Sequence, residues 1–219
     1  HFVRRRQRQM CIRDSASSGD NTIAWYENDG AANPSWTASD ISYTALGPRG
    51  IFLADIDSDG DLDIISASSG DNTIAWYEND GAANPSWTAA DISTTADGAR
   101  NVFVADIDSD GDLDIVSASH DDDTIAWYEN DGNSDPSFTK NVISTSADGA
   151  RGVHIADIDS DGDLDVVSAS RIDNKIAWYE NDGAANPSWS TTTIATSAAG
   201  ARDIHIADMD NDGDLDIVS

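Results

Sequence analysis

"DIDSDGDLD", residues 55–63, sets five aspartates at alternate positions in nine residues. In a plain strand Asp55, Asp57, Asp59, Asp61 and Asp63 would all project from one face, about 7 Å apart. Like charges at that spacing repel, and Asp is among the poorest strand formers. The stretch nevertheless recurs at 106–114 and 157–165, and as "DMDNDGDLD" at 208–216. "TIAWYENDG" at 22–30, 73–81 and 124–132, with "KIAWYENDG" at 175–183, keeps the same spacing of 51 residues. A period of that size belongs to propeller blades and other stacked arrays.

Within one unit the pattern is all β. "NVFVADI" (101–107) and "DIVSAS" (114–119) flank the acidic stretch, and both alternate or are β-branched. "TIAWYEN" (124–130) is a third strand, ended by the turn signal Asp131-Gly132, and "SFTKNVIST" (137–145) is a fourth. Four short strands per unit predict a β-propeller of four-stranded antiparallel blades. A tandem sandwich or a β-solenoid is the competing architecture, although solenoid coils use shorter periods. The repeats start inside one unit and stop inside another, which predicts a fragment of a larger propeller.

The acidic stretch is then a loop between two strands. In D-x-D-x-D-G-x-x-D, carboxylates at positions 1, 3, 5 and 9 and the main-chain carbonyl at 7 can converge on one hard cation, and Gly60 at position 6 permits the sharp turn. Calcium suits six to eight oxygens in a flexible set, whereas magnesium keeps its waters. Such a cation also removes the repulsion among the aspartates. The candidate metal residues are Asp55, Asp57, Asp59, Asp61 and Asp63; Asp106, Asp108, Asp110, Asp112 and Asp114; Asp157, Asp159, Asp161, Asp163 and Asp165; and Asp208, Asp210, Asp212, Asp214 and Asp216. One Ca2+ per repeat, four in all, is expected. An EF-hand would need a bidentate Glu at position 12, where this chain has Ser66, Ser117, Ser168 and Ser219.

Four such loops, each between two strands of a 51-residue unit, resemble the FG-GAP/VCBS-type repeats of the integrin α head and of many bacterial secreted and surface proteins. The resemblance covers essentially all of 16–219. It implies a β-propeller with calcium in the loop between each blade's first two strands. The Phe-Gly…Gly-Ala-Pro signature is only approximated, by "ALGPRGIFLAD" at 45–55, which favours the broader bacterial group over integrins proper.

Residues 5–15, "RRQRQMCIRDS", stand apart and hold the single Cys, Cys11. They match, residue for residue, one reading frame of the transposon-end adapter used in short-read sequencing. Residues 1–15 are therefore read as translated adapter, expected to be disordered, rather than as a basic targeting arm. No signal peptide is visible because the native N-terminus is expected to be missing. Without that stretch, seven of the twelve Lys+Arg and forty of the 41 Asp+Glu remain, a balance of −33 against −29 for the whole chain. Such acidity argues against nucleic acid and anionic membranes as partners. No cysteine is left for a disulfide framework or thiolate chemistry.

Other residues recur in register. Ile23, Ile74, Ile125 and Ile176 share a strand face with Trp25, Trp76, Trp127 and Trp178, which predicts packing between blades, with sugar stacking as the alternative. Trp36, Trp87, Phe138 and Trp189 are expected in the core. His154 and His205 stand where Phe52 and Phe103 stand in earlier units, and read as aromatic substitutes. Glu27, Glu78, Glu129 and Glu180 share one repeat position, and Arg49, Arg100, Arg151 and Arg202 another; a structural Arg–Glu pair is expected. No catalytic Ser/His/Asp or Cys/His set recurs. The reading is a non-catalytic, calcium-binding module of an extracellular or cell-surface protein, serving adhesion or protein/carbohydrate binding. The alternative is the propeller domain of a secreted enzyme such as a polysaccharide lyase or phospholipase. The turns between second and third strands vary, from SGDN at 69–72 to HDDD at 120–123 and RIDN at 171–174. The face opposite the acidic loops, around His120–Asp123 and Arg171–Asn174, is the expected recognition face.

Overall fold

Each repeat folds into one antiparallel meander in the computed structural model, which describes residues 16–219. The adapter reading of 1–15, with its expected disorder, lies outside the described residues. The first sheet holds β1 (Ala16–Ser17), β2 (Thr22–Asn28) and β3 (Trp36–Ser42). The second holds β4 (Pro48–Ala54), β5 (Asp63–Ser68), β6 (Thr73–Asn79) and β7 (Trp87–Ser93). The third holds β8 (Ala99–Ala105), β9 (Asp114–Ser119), β10 (Thr124–Asn130) and β11 (Phe138–Ser144). The fourth holds β12 (Ala150–Ala156), β13 (Asp165–Ser170), β14 (Lys175–Asn181) and β15 (Trp189–Ala195), and β16 (His205–Ala207) pairs with β17 (Asp216–Val218). Among the described residues there is no helix, and no ladder joins β16–β17 to the first sheet.

The strands expected from the sequence are present, with β8 shifted two residues toward the N-terminus. Asp106 and Ile107 fall outside it because the acidic loop already begins at 106. Seven bulges among the described residues also escaped the pattern: four slip between the third and fourth strands, after Ile23, Ile74, Ile125 and Ile176, and three lie in the first strands. The register slips between Pro48 and Gly50, Ala99 and Asn101, and Ala150 and Gly152, leaving Arg49, Arg100 and Arg151 as the unpaired extra residues.

The core lies between sheets. Ile74 and Trp76 pack with Val102, Val104, Ala126 and Tyr128 of the next unit; Ile125 and Trp127 pack with Val153, Ile155, Ala177 and Tyr179 in the same way. Each sheet thus presents an Ile/Trp face to its successor and an Ala/Tyr face to its predecessor, as a period-2 strand buried on both sides must. Trp76 and Trp127 are 4% and 1% exposed, which rules out stacking a sugar. The fourth-strand aromatics differ from expectation. Trp87, Phe138 and Trp189 are only partly buried at the outer margin of these clusters, and Trp36 is 53% exposed. No sheet precedes Trp36 among the described residues to cover it.

The first strands of successive sheets lie side by side. Gly50 shows how close: a Cβ there would stand 2.9 Å from the Arg100 carbonyl oxygen and the Asn101 Cα. Along these strands runs a column of rings, Phe52–Phe103 at 4.8 Å, Phe103–His154 at 4.6 Å and His154–His205 at 6.5 Å between centroids. The two histidines do take the place of phenylalanines. Burial pushes the His154 imidazole below its ordinary value, as a ring packed in such a column requires.

Candidate metal centre

The first strand of each unit ends where its acidic loop begins, so the loops sit on one rim. Local geometry is set by two residues in the left-handed region. Gly60, Gly111, Gly162 and Gly213 at position 6 have φ between 98° and 103°, and Ser58, Ser109, Ser160 and Asn211 at position 4 have φ between 59° and 63°. A Cβ on any of the four glycines would meet nothing within 4 Å, so backbone conformation and not space demands glycine. A non-Gly residue held there costs about 1–2 kcal/mol, offset by what the loop then presents.

Position 1 closes the turn. Asp106 accepts the Asp110 and Gly111 amides, each at 3.1 Å; Asp157 accepts those of Asp161 and Gly162, and Asp208 those of Asp212 and Gly213. At position 5, Asp59, Asp110, Asp161 and Asp212 each accept the amide two residues on. These bonds use some carboxylate oxygens and leave others directed at one another. Ligand-type oxygens come within 4.8 Å in four groups: Asp55, Asp57 and Asp59; Asp106, Asp108 and Asp114; Asp157, Asp159 and Asp161; and Asp208, Asp210 and Asp216. Asp55 Oδ1 and Asp108 Oδ1 are buried with no hydrogen-bond partner. An oxygen-only set with orphaned, buried carboxylate atoms fits a hard divalent cation.

Two positions have further roles that the spacing did not reveal. At position 9 the carboxylate is a strut. Asp114 accepts the Ile107 amide at 3.0 Å and the Asn130 amide at 2.8 Å, and is 1% exposed. Asp63 and Asp165 hold the corresponding amides of Ile56 and Asn79, and of Ile158 and Asn181. Position 9 thus ties the loop's start to the end of the third strand, and only Asp114 and Asp216 also belong to the oxygen groups. At position 7 the side chains of Asp61, Asp112 and Asp163 lie against Gly81, Gly132 and Gly183 of the "ENDG" turns, where a Cβ would collide with them. The expected ligand at position 7 was the main-chain carbonyl, and the carboxylate stands apart from the group.

Electrostatics follow this geometry. Burial, opposed by the two amide bonds, pushes Asp114 up to about 7. Burial also raises Asp63, Asp165, Asp57 and Asp108, and neighbouring carboxylates add to each. A nearby divalent charge would reverse each of these shifts. Glu129 contributes to the field at Asp108, and its Oε2 accepts a bond from Asn141 Nδ2 at 3.3 Å. The glutamates therefore end the third strands on the acidic rim, while the arginines begin the first strands at the other end. The expected Arg–Glu pair does not form; no ion pair among the described residues involves an arginine.

Asn79, Asn130 and Asn181 were missed as site residues, although their repetition in "ENDG" was the available signal. Asn130 Nδ2 donates to the carbonyls of Leu113 at 3.1 Å and Ile56 at 3.3 Å, so it links its own acidic loop to that of the preceding unit. Asn181 repeats this with Leu164 and Ile107.

A family model described as FG-GAP-like repeat matches residues 12–66, 55–117, 106–168 and 157–219. No curated protein matches the chain. Among solved structures, a crystal structure of a protein from Lactobacillus plantarum is similar over 78% of this chain, at 18% identity and a TM-score of 0.49. The match covers 48% of that protein, so the present chain spans about half its length. No helix among the described residues is long and apolar enough to cross a membrane.

Proposed function

The chain belongs to the FG-GAP-like repeat family, and on that premise we propose that it is a calcium-binding β-propeller module of a secreted or cell-surface protein, serving adhesion or protein/carbohydrate binding and not catalysis. The sheets are its blades. Calcium is held by carboxylates at positions 1 and 3 of each loop, joined by position 5 at Asp59 and Asp161 and by position 9 at Asp114 and Asp216. The observation that carries this reading is the pair of buried carboxylate oxygens, on Asp55 and Asp108, that no donor in the protein satisfies. Calcium neutralises the rim and braces the strand ends, leaving the opposite rim for a partner. There His120–Asp123 and Arg171–Asn174 differ from the SGDN of 69–72, and a specific partner needs such differences.

The direct test is titration with calcium, with metal content measured by elemental analysis. A ligand that binds only the folded state at a hundredfold excess over Kd adds about 2.7 kcal/mol. Extracellular modules bind at roughly 10⁻⁴–10⁻³ M, so millimolar calcium should raise the melting temperature and chelator lower it. A melting curve indifferent to chelator would refute the assignment. Replacing both variable turns with SGDN should remove partner binding and leave calcium affinity unchanged.

A further inference from the structure

The rim opposite the acidic loops carries a cluster of the other sign. Arg49, Arg100, Arg151 and Arg202 line one cavity of about 270 Å³ together with Asn101 and Asp203. Three of these arginines are the extra residues of the bulges in β4, β8 and β12, and a bulge is a means of re-aiming a side chain. Because the first strands lie side by side, the bulges gather side chains from three successive units, and Arg202, just before β16, joins them. Among the described residues none of these guanidinium groups has a carboxylate within ion-pair distance. Arg49 Nε donates to Ser69 Oγ at 3.2 Å, but the Nε atoms of Arg100 and Arg151 are buried without an acceptor. Burial lowers both groups, and neighbouring arginines lower them further; Arg171 acts on both, and Asp121 opposes the shift at Arg100.

We propose that this cavity binds a compact tetrahedral oxyanion, a sulfate or phosphate group, either free or carried as an ester on a saccharide. Buried donors without acceptors and like charges without counter-charges are both costly, and one oxyanion resolves the two together. Guanidinium forks match sulfate and phosphate oxygens in bidentate fashion. The volume lies just below the range of drug-sized pockets, which suits a single such group or one substituted sugar ring. The chain's net charge of −29 works against an anion at long range. Screening beyond about 8–10 Å leaves the local groups to decide, where four arginines outnumber Asp203 in the lining and Asp121 acting on Arg100. The proposal rests on the propeller reading only for presenting this rim to a ligand.

The test is calorimetric titration of the full, calcium-loaded chain with sodium sulfate at constant ionic strength, and in parallel with glucose 6-sulfate. Saturable uptake of sulfate alone assigns the site to the free ion, and uptake of the ester assigns it to a sulfated saccharide; the absence of both overturns the proposal. Replacing Arg100→Gln and Arg151→Gln together should weaken uptake at least tenfold, whereas Lys140→Gln should leave it unchanged. In sulfate-free buffer the double variant should melt at the same temperature as the parent or higher, because uncompensated like charges have been removed. A lower melting temperature would show the arginines to be structural and refute the site. Calcium content and a cooperative melt are verified first, so a negative result counts against the anion site and not against the calcium reading.

Discussion

Asp108→Ala is expected to change the sign of its effect with calcium. In the metal-free protein Asp108 is a burden: its Oδ1 is buried with no partner, and burial and Asp110 both disfavour its charge. A buried acceptor left unsatisfied costs about 1–3 kcal/mol. Removing it in chelator should stabilise the chain by about 1 kcal/mol, after allowing for lost packing. In calcium at a hundredfold excess over Kd, losing one site withdraws up to about 2.7 kcal/mol. The two conditions should therefore differ by about 3–4 kcal/mol for a single substitution. Urea denaturation followed by tryptophan fluorescence reads this directly, since Trp76 and Trp127 sit between the sheets, and the slope against urea should stay constant. An equal loss in calcium and in chelator would make Asp108 a structural residue and refute its role as a ligand.

Asp114→Ala should behave differently, losing about 3–5 kcal/mol already in chelator because two buried amides lose their acceptor, and more in calcium because the same carboxylate belongs to the oxygen group; stability retained in chelator would contradict the strut. Gly132→Ala, at φ 68° and against the Asp112 carboxylate, should lower stability by about 1–2 kcal/mol through strain, readable as a fall in melting temperature. Trp127→Ala should cost about 3–5 kcal/mol and loosen the third sheet from the fourth, seen as loss of amide protection in β12. The pH dependence should also invert. Asp114 is raised from 3.8 to about 7 in the metal-free fold, so between those values the folded state binds more protons than the unfolded one. Metal-free stability should fall as pH climbs through that window, whereas calcium affinity should rise up to about pH 7 and then level off. Denaturation and calcium titration at pH 5, 6, 7 and 8 check both trends.

The period, the four strands of each unit and the acidic loop between the first two of them are determined by the sequence itself. They are local: alternation, turn residues and repeated spacing are written within a few residues of one another. The two histidines in the aromatic column were legible for the same reason, since each stands at a phenylalanine's place in the repeat. The use of position 9 as a strut, the side chain of position 7 against a glycine, and the Asn130 link between loops depend on which backbone amides and carbonyls are left over when strands pair. That only the tertiary structure decides. The arginines make the point most directly. Their shared period with the glutamates suggested a pair, yet in a meander the start of the first strand and the end of the third lie at opposite rims. Three bulges and the side-by-side packing of strands from different units then bring together four charges spaced 51 residues apart in the chain.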